Sequence, residues 1–165
     1  MSEVLRLIKV GIADVKIGSA PDKIRTSGLG SCVGVILYDE VKRVAGMAHV
    51  MLPDSTMAKQ GRINRFKYAD TAMDDLLGML IEAGASKFRL KSKLAGGAQM
   101  FHFKSESDLM RIGPRNVEAV KKKLLHYRIP IISEDVGGKS GRTIVFDPET
   151  SRLHIRKVNH GEVTI

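Results

Sequence analysis

The sequence predicts an α+β fold, a layered α/β sandwich in which helices flank a mostly antiparallel sheet. Three observations support this class: strand-like apolar runs outnumber helical ones, successive runs are close enough to form hairpins, and two segments carry helical spacing. The chain has 165 residues, of which 43% are apolar, enough for the core of one ordinary domain. We therefore expect a single domain over residues 1–165, with residues 159–165 as a tail.

Two apolar runs in the first third of the chain predict a β-hairpin. Residues 32–38 read Cys-Val-Gly-Val-Ile-Leu-Tyr and are rich in β-branched side chains. Residues 44–52 form a second apolar run that closes at Pro53. The residues between the two runs are mostly polar, as expected for a turn.

The register of this hairpin decides whether the cysteine meets a histidine. A four-residue loop over residues 39–42 would place Cys32 directly opposite His49. Directly opposed residues share one sheet face, with Cβ atoms about 4.5–5.5 Å apart, so the thiol and the imidazole could touch. A loop one residue longer or shorter would put them on opposite faces.

Two later segments predict helices. Residues 68–82 place apolar side chains at i, i+3, i+4 and i+7, which indicates a helix with one buried face, and Gly84 is a suitable stop. A second helix is predicted to begin near Asn116, a good N-cap, and to end before Pro130.

Four further segments predict strands. Residues 87–94 alternate strictly, which indicates a strand whose wet face carries four basic side chains: Lys87, Arg89, Lys91 and Lys93. Residues 131–136 and 142–147 flank a glycine-rich turn, and residues 152–158 follow a second turn.

Composition narrows the classes of partner. Lys and Arg number 27 against 18 Asp and Glu, a formal net charge of +9, which points to an acidic partner. Trp is absent and aromatic residues make up only 5%, so the stacking residues of nucleic-acid binders are missing and we expect no nucleic-acid partner. A solvated basic face is the plainer alternative.

Other function classes are excluded by what the sequence lacks. No signal peptide and no bilayer-spanning apolar run is present, so we expect a cytoplasmic protein that does not insert into a membrane. One cysteine allows no intramolecular disulfide and no cysteine-rich zinc site. The remaining histidines lack ligand spacing, so we expect no metal and no cofactor.

The segment before Cys32 carries the candidate chemistry. Glycines at the end of a loop can leave backbone amides free to bind an oxyanion, which makes Gly30 and Ser31 candidates for that role. If His49 takes the proton of Cys32, the thiol becomes a thiolate nucleophile at neutral pH. A buried structural cysteine and a core histidine remain the alternatives.

Six short segments carry a recognisable pattern: Gly28-Leu29-Gly30-Ser31-Cys32-Val33, Ala48-His49-Val50-Met51-Leu52-Pro53, Lys67-Tyr68, Gly96-Gly97-Ala98, Gly113 with Arg115-Asn116, and Gly137-Gly138 with Gly141-Arg142. Together they resemble the CheD family of chemoreceptor glutamine deamidases, and the resemblance runs from about residue 11 to about residue 158. Each segment alone is a weak signal, but all six in this order and spacing are specific.

The resemblance implies an activity and a site. The family hydrolyses the side-chain amides of selected glutamines on the cytoplasmic helices of chemoreceptors, giving glutamate and ammonia through a thioester. Its nucleophile falls on Cys32, its general base and acid on His49, and its third catalytic residue on Thr26, whose hydroxyl would fix the histidine tautomer. Without the resemblance, Thr26 would be a turn or strand-end residue that bonds its own backbone.

The resemblance also implies a fold and partners. The fold is similar to the catalytic domain of deamidating toxins of the cytotoxic necrotizing factor type. The partners are acidic receptor helices, as substrate, and the CheC phosphatase, for which residues 96–103 are our candidate surface; a regulatory adaptor with little catalysis is the alternative function. Two departures are small: Gln99 stands where relatives often carry Asn, and residues 159–165 extend past the match.

Overall fold

A computed structural model describes residues 4–59, 61, 63–99 and 111–165. Within these residues the chain forms ten strands and two α-helices, joined by turns of 3₁₀ helix. The strands are β1 (Leu7–Lys9), β2 (Val15–Ser19), β3 (Lys23–Leu29), β4 (Val33–Asp39), β5 (Val44–Val50), β6 (Lys91–Gly96), β7 (Ile131–Val136), β8 (Arg142–Asp147), β9 (Arg152–Lys157) and β10 (Gly161–Thr164); the helices are α1 (Ala69–Glu82) and α2 (Ile112–Tyr127).

The strands of the described residues form two five-stranded sheets. The first has the order β1-β3-β8-β9-β10 and the second the order β2-β5-β4-β6-β7. Neighbouring strands are antiparallel except for the parallel pairs β1–β3 and β6–β7. The predicted α+β sandwich with a mostly antiparallel arrangement is confirmed.

The second sheet is the middle layer of the molecule. One of its faces, with Val33, Val35 and Leu37, packs against the two helices. The other face, with Ile36 and Tyr38, packs against the first sheet. Because β4 is buried on both faces, its sequence is a continuous apolar run instead of an alternating one.

Several predicted elements are confirmed close to their predicted ends. The first helix spans Ala69–Glu82 and buries the predicted apolar stripe. The strands predicted at 131–136 and 142–147 have those bounds, and the one predicted at 152–158 ends one residue earlier. The first three strands were not predicted. In β2 and β3 charged or small residues interrupt the apolar ones, and β1 is only three residues long.

Three predictions about later elements are wrong. Helix α2 begins at Ile112 and not near Asn116, because Pro114 lies in the first turn, where a missing N–H does no harm. Residues 87–89 form a 3₁₀ turn, and the strand runs over Lys91–Gly96 instead of 87–94. Within residues 159–165, predicted to be a tail, Gly161–Thr164 pair with β9 as an edge strand.

The hairpin is confirmed, but its register differs from the prediction by two residues. His49 lies opposite Gly34 and not Cys32, and the loop covers residues 40–43. Asp39 explains the shift, because its carboxylate accepts the N–H groups of Val41 and Lys42 and closes the turn from inside the strand. A shift of two preserves the face, so Cys32 still lies on the same side of the sheet as His49.

Candidate active site

Two side chains that the sequence singled out, Thr26 and His49, are in contact at one end of the sandwich, and Cys32 lies at the same end. His49 is the penultimate residue of β5 and is fully buried, and Thr26 is buried in β3 of the facing sheet. Cys32 directly precedes β4, is half-buried and packs against the core between the sheets. Extending the observed register by one residue makes Cys32 a diagonal neighbour of His49 on the same sheet face. No hydrogen bond joins the thiol to Nε2 of His49 among the described residues.

A glycine lets the two sheets approach closely beside these residues. Gly34 lies opposite His49, and a Cβ at this position would be 2.6 Å from Cδ1 of Ile144. Ile144 is in turn the strand partner of Thr26. The missing side chain of Gly34 therefore allows Thr26, on one sheet, to contact His49, on the other.

The Thr26 hydroxyl determines the tautomer of His49. Its Oγ1 lies 2.8 Å from the carbonyl oxygen of Val10 and 2.7 Å from Nδ1 of His49. The carbonyl can only accept, so the single hydroxyl proton is donated to Val10 and the hydroxyl accepts from the ring. His49 is thus protonated at Nδ1, which leaves a lone pair on Nε2.

The Nε2 atom of His49 is buried, and among the described residues it has no hydrogen-bond partner. Burial lowers the pKa of His49 to about 4, although the negative charge of Asp14 acts in the opposite direction. At neutral pH the ring is therefore an uncharged base. A buried, unpaired lone pair of this kind is what a proton acceptor in catalysis requires.

The protonation state of Cys32 differs from the sequence-based expectation of a thiolate at neutral pH. Burial raises the pKa of Cys32, and the hydrogen bond from its own backbone N–H offsets this only in part. With His49 neutral as well, the resting pair is a thiol and an imidazole, not a thiolate and an imidazolium. Proton transfer must then accompany the attack on a substrate.

The backbone amides before the thiol divide into used and unused donors. The N–H of Gly30 donates to the carbonyl of Gly28 in a turn. The N–H groups of Ser31 and Cys32 donate to no other residue in the described part of the chain. Among the described residues, the unused donors beside the thiol are therefore the N–H groups of Ser31 and Cys32, whereas the N–H of Gly30, which the sequence analysis also proposed, is already bonded within the turn.

The loop that carries the thiol is held from the β6 side by backbone bonds. The N–H of Gly97 donates to Cys32 at 2.8 Å, and the N–H of Ala98 donates to Gly30 at 2.9 Å. Gly96 passes so close that a Cβ there would lie 2.3 Å from the Cys32 carbonyl oxygen. The Gly-Gly-Ala segment is thus a close-packed support for the nucleophile loop.

The side chain of Asn116 holds the same loop from the other side. It is fully buried within α2, and its Nδ2 donates to the carbonyls of Ser31 at 3.0 Å and of Met51 at 2.9 Å. The sequence analysis missed this role, because Asn116 was taken for an N-cap. The signal was present: Asn116 falls on the buried line of the helix with Gly113, Val120 and Leu124.

The remaining segments of the six that carry the family resemblance also lie at this end of the sandwich. The carbonyl of Lys67 accepts the N–H groups of Met51 and Leu52, which extends the support beyond β5. Gly137 donates to Gly96, and Arg142 donates to the carbonyl of Gly137 and to Asp135. Six segments separated along the chain thus form one connected assembly around Cys32.

The basic stripe expected over residues 87–93 does not exist. Arg89 pairs with the buried carboxylate of Asp39, and Lys91 pairs with Glu40. Lys93 is buried, and its ammonium donates to the carbonyls of Ser151 and Ile165. An exposed row of basic side chains remains on β9, at Arg152, His154 and Arg156, where Glu162 lies within ion-pair distance of His154 and Arg156.

The described part of the chain has further surface features away from this site. A groove of about 670 Å³ lies at the opposite end of the sandwich, beside the 40–43 loop, and its lining residues Glu40, Lys87, Phe88 and His126 include no cysteine or serine.

Among the described residues, no group of three or more His, Cys, Asp or Glu could hold a metal. None of the described helices is long and apolar enough to cross a membrane. Of the proposed partner surface at 96–103, residues 100–103 lie outside the described residues.

A family model and the curated relatives agree on one family. A family model described as CheD chemotactic sensory transduction matches residues 51–157. The chain is 65% identical over 159 residues to the chemoreceptor glutamine deamidase CheD of Bacillus subtilis, covering 96% of each chain. It is 62% identical to the proteins of the same name from Bacillus velezensis and Halalkalibacterium halodurans, covering 96% of this chain and 96% and 98% of theirs. A Neisseria meningitidis crystal structure overlaps 82% of this chain and 65% of its own, with a TM-score of 0.49 and 9% identity.

Proposed function

Because the chain belongs to the CheD family of chemotaxis proteins, we propose that it is a protein-glutamine deamidase that acts on chemoreceptors. The substrate is the side-chain amide of selected glutamines, and the products are glutamate and ammonia. The observation that carries the proposal is the 2.7 Å contact between Thr26 and Nδ1 of His49, which leaves Nε2 free on the sheet face shared with Cys32.

The first half of the reaction forms a thioester. Sγ of Cys32 attacks the amide carbon as its proton passes to Nε2 of His49, and the N–H groups of Ser31 and Cys32 stabilise the oxyanion. The carbon–nitrogen bond then breaks, and His49 returns the proton to the leaving nitrogen so that it departs as ammonia.

The second half hydrolyses the thioester. His49, again neutral, takes a proton from water as the water attacks the carbonyl carbon. The carbon–sulfur bond breaks, the thiol regains its proton from His49, and glutamate is released. Thr26 keeps Nδ1 protonated throughout, so that the same nitrogen, Nε2, moves every proton.

Because Cys32 and His49 are both uncharged at rest, we expect a moderate rate of deamidation. Burial raises the pKa of Cys32 and lowers that of His49 to about 4, so little thiolate is present before the substrate binds. A hydroxyl also stabilises an imidazolium less than a carboxylate does. Slow turnover suits a modification that adjusts receptors and does not process metabolites.

The proposal sets the location and the partners. Modified receptor helices lie on the cytoplasmic side of the membrane, so the protein works in the cytoplasm. The net charge of +9 would steer it towards acidic helices. The CheC phosphatase is the second partner that we propose.

The test is deamidation of a receptor cytoplasmic fragment, followed by peptide mass spectrometry. Wild-type protein converts specific glutamines to glutamates, whereas Cys32→Ala lowers the rate at least about 1,000-fold with normal folding. His49→Gln also abolishes conversion, and the matched control His126→Gln, an exposed histidine near the other end, retains it. Absence of conversion by wild-type protein would falsify the deamidase proposal.

A regulatory adaptor is the second candidate, and the un-ionised resting thiol is the observation that favours it. An adaptor would bind receptor fragments and CheC equally well as wild type and as Cys32→Ala. Binding of both partners, measured by calorimetry, together with no glutamine conversion would establish the adaptor. Glutamine conversion that depends on Cys32 would exclude it as the main function.

A further inference from the structure

We propose that Asn116 is a positioning residue that holds Cys32 and His49 at their working separation. The proposal rests on the proposed function, in which these two residues act together. Asn116 touches neither the substrate nor the reacting atoms, and it acts through the two backbone segments that carry them.

A single planar amino group joins both segments. Nδ2 of Asn116 donates one hydrogen to the carbonyl of Ser31 and the other to the carbonyl of Met51. Ser31 directly precedes the nucleophile, and Met51 follows the general base by two residues. Because the two N–H bonds of an amide have a fixed angle, the group sets the distance between its two acceptors.

This side chain stands where the backbone ladder stops. The last pair between β4 and β5 is Val33 with Val50, and both acceptors of Asn116 lie beyond it. On the β6 side, the nucleophile loop is held by backbone bonds from Gly97 and Ala98. On the β5 side, Asn116 supplies the cross-link that a further rung would have supplied.

The helix that carries Asn116 is itself firmly placed. A Cβ at Gly113 would lie 2.2 Å from the carbonyl oxygen of Ala98, so α2 packs directly on the loop that supports the nucleophile. Val120 and Leu124, further along the same face, are buried in the core. A site held from a rigid helix is positioned more accurately than one held from a loop.

The amide of Asn116 has both a gain and a cost in stability. Its Oδ1 is buried, and among the described residues it has no hydrogen-bond partner. A buried acceptor without a partner lowers stability, which offsets part of what the two donated bonds contribute. The two donated bonds are therefore what the amide supplies at this position.

Two near-isosteric variants test the proposal by kinetics. Asn116→Asp replaces the two donors with acceptors, and Asn116→Leu removes polarity. We expect kcat for the receptor fragment to fall about 10- to 100-fold, as for a displacement of about 1 Å, while KM changes less than about threefold. Leu80→Ala, on the buried face of α1 beside Gly46, is the matched control: it lowers the unfolding midpoint and leaves kcat unchanged.

A second measurement needs no receptor. Alkylation of Cys32 by iodoacetamide, followed over pH, reports how well His49 assists the thiol. We expect Asn116→Leu and His49→Gln each to slow alkylation near neutral pH about tenfold, and the double variant to be no slower than His49→Gln, because both changes remove the same assistance.

The outcomes separate the two proposals. If the Asn116 variants match wild type in both kcat and alkylation rate, the positioning role is wrong even though deamidation stands. If wild type converts no glutamine but the alkylation pattern is found, the proposed reaction is wrong and the positioning of Cys32 by Asn116 stands. Additive loss in the double variant also overturns the positioning role, since it would show independent effects.

Discussion

Strands β4 and β5 have a buried ionisable side chain near each end of the hairpin, and the two ends are built in different ways. At the loop end, the carboxylate of Asp39 accepts N–H groups from Val41, Lys42 and Ser86 and pairs with Arg89. Burial alone would raise the pKa of Asp39, but these hydrogen bonds outweigh burial and lower it to about 2.

At the open end, His49 is buried, and among the described residues only one of its ring nitrogens has a hydrogen-bond partner. Its pKa is lowered to about 4 because burial disfavours the charged form. The difference distinguishes structural from functional polar groups: Asp39 is charged and saturated with hydrogen bonds, whereas His49 is neutral and keeps a free lone pair. Buried polar groups without partners cost stability, and proteins retain them mainly where chemistry needs them.

The largest expected effect is a loss of stability at the loop end of the hairpin, where Asp39 accepts several hydrogen bonds. Asp39→Ala removes a buried carboxylate that accepts three N–H groups and pairs with Arg89. Because hydrogen bonds to charged groups contribute about 1.5–3 kcal/mol each, we expect a loss of about 3–5 kcal/mol in the free energy of unfolding. Urea denaturation measures this loss. Deamidation per folded molecule stays the same, because Asp39 lies at the other end of the strands. A stable Asp39→Ala variant would show that saturation at this end is unimportant.

The next expected effect is on the pH dependence of stability, which differs between the two ends of the hairpin. Folding lowers the pKa of His49 from about 6.5 to about 4, so between these values the unfolded chain binds more protons and stability falls as the pH falls, by up to about 3 kcal/mol. The lowered pKa of Asp39 acts in the same direction but between about pH 4 and pH 2.

Unfolding of wild type and His49→Gln over pH 7 to pH 3 tests this separation. Glutamine does not titrate, so the variant should lose the slope between about pH 6.5 and pH 4 and keep the steeper loss at lower pH. An unchanged slope in His49→Gln would mean that other groups produce it and that His49 is not held neutral by burial.

The smallest expected effect concerns Thr26, the hydrogen-bond partner of the His49 ring among the described residues. Thr26→Val keeps the shape of the side chain but removes the acceptor for Nδ1–H, so both tautomers become populated and the ring can turn. We expect kcat to fall about 10- to 100-fold with little change in KM. Thr26→Ser, which keeps the hydroxyl, is the control and should retain most activity; equal losses in both variants would contradict the tautomer role.

The hairpin register shows what the apolar pattern of a sequence can predict and what it cannot. The apolar runs predicted both strands, and the correct face for Cys32 and His49 followed even though the pairing was two residues off. The error arose at Asp39, which was counted as loop although its carboxylate closes the turn while its backbone stays in the strand. Whether a polar residue ends a strand depends on contacts that residue spacing does not encode.

Asn116 shows a second limit. An asparagine near a helix start is usually a cap, and it becomes a buried donor only when the helix begins four residues earlier, at Ile112. The predicted basic stripe failed for a similar reason: Arg89 and Lys93 have acceptors from distant segments, Asp39 and Ser151. Such partners are known only once the layers are packed.

The sequence by itself determined the α+β class, the central hairpin and one helix, and it supplied the candidate catalytic residues, because periodicity and residue type are local properties. Tertiary structure decided which nitrogen of His49 is free, which amides remain unused beside Cys32, and what holds the loop in place. Those features arise between the two sheets and beneath α2, where Thr26, His49 and Asn116 come from separate segments. Hydrogen bonds across such distances in sequence exist only after burial has brought the layers together.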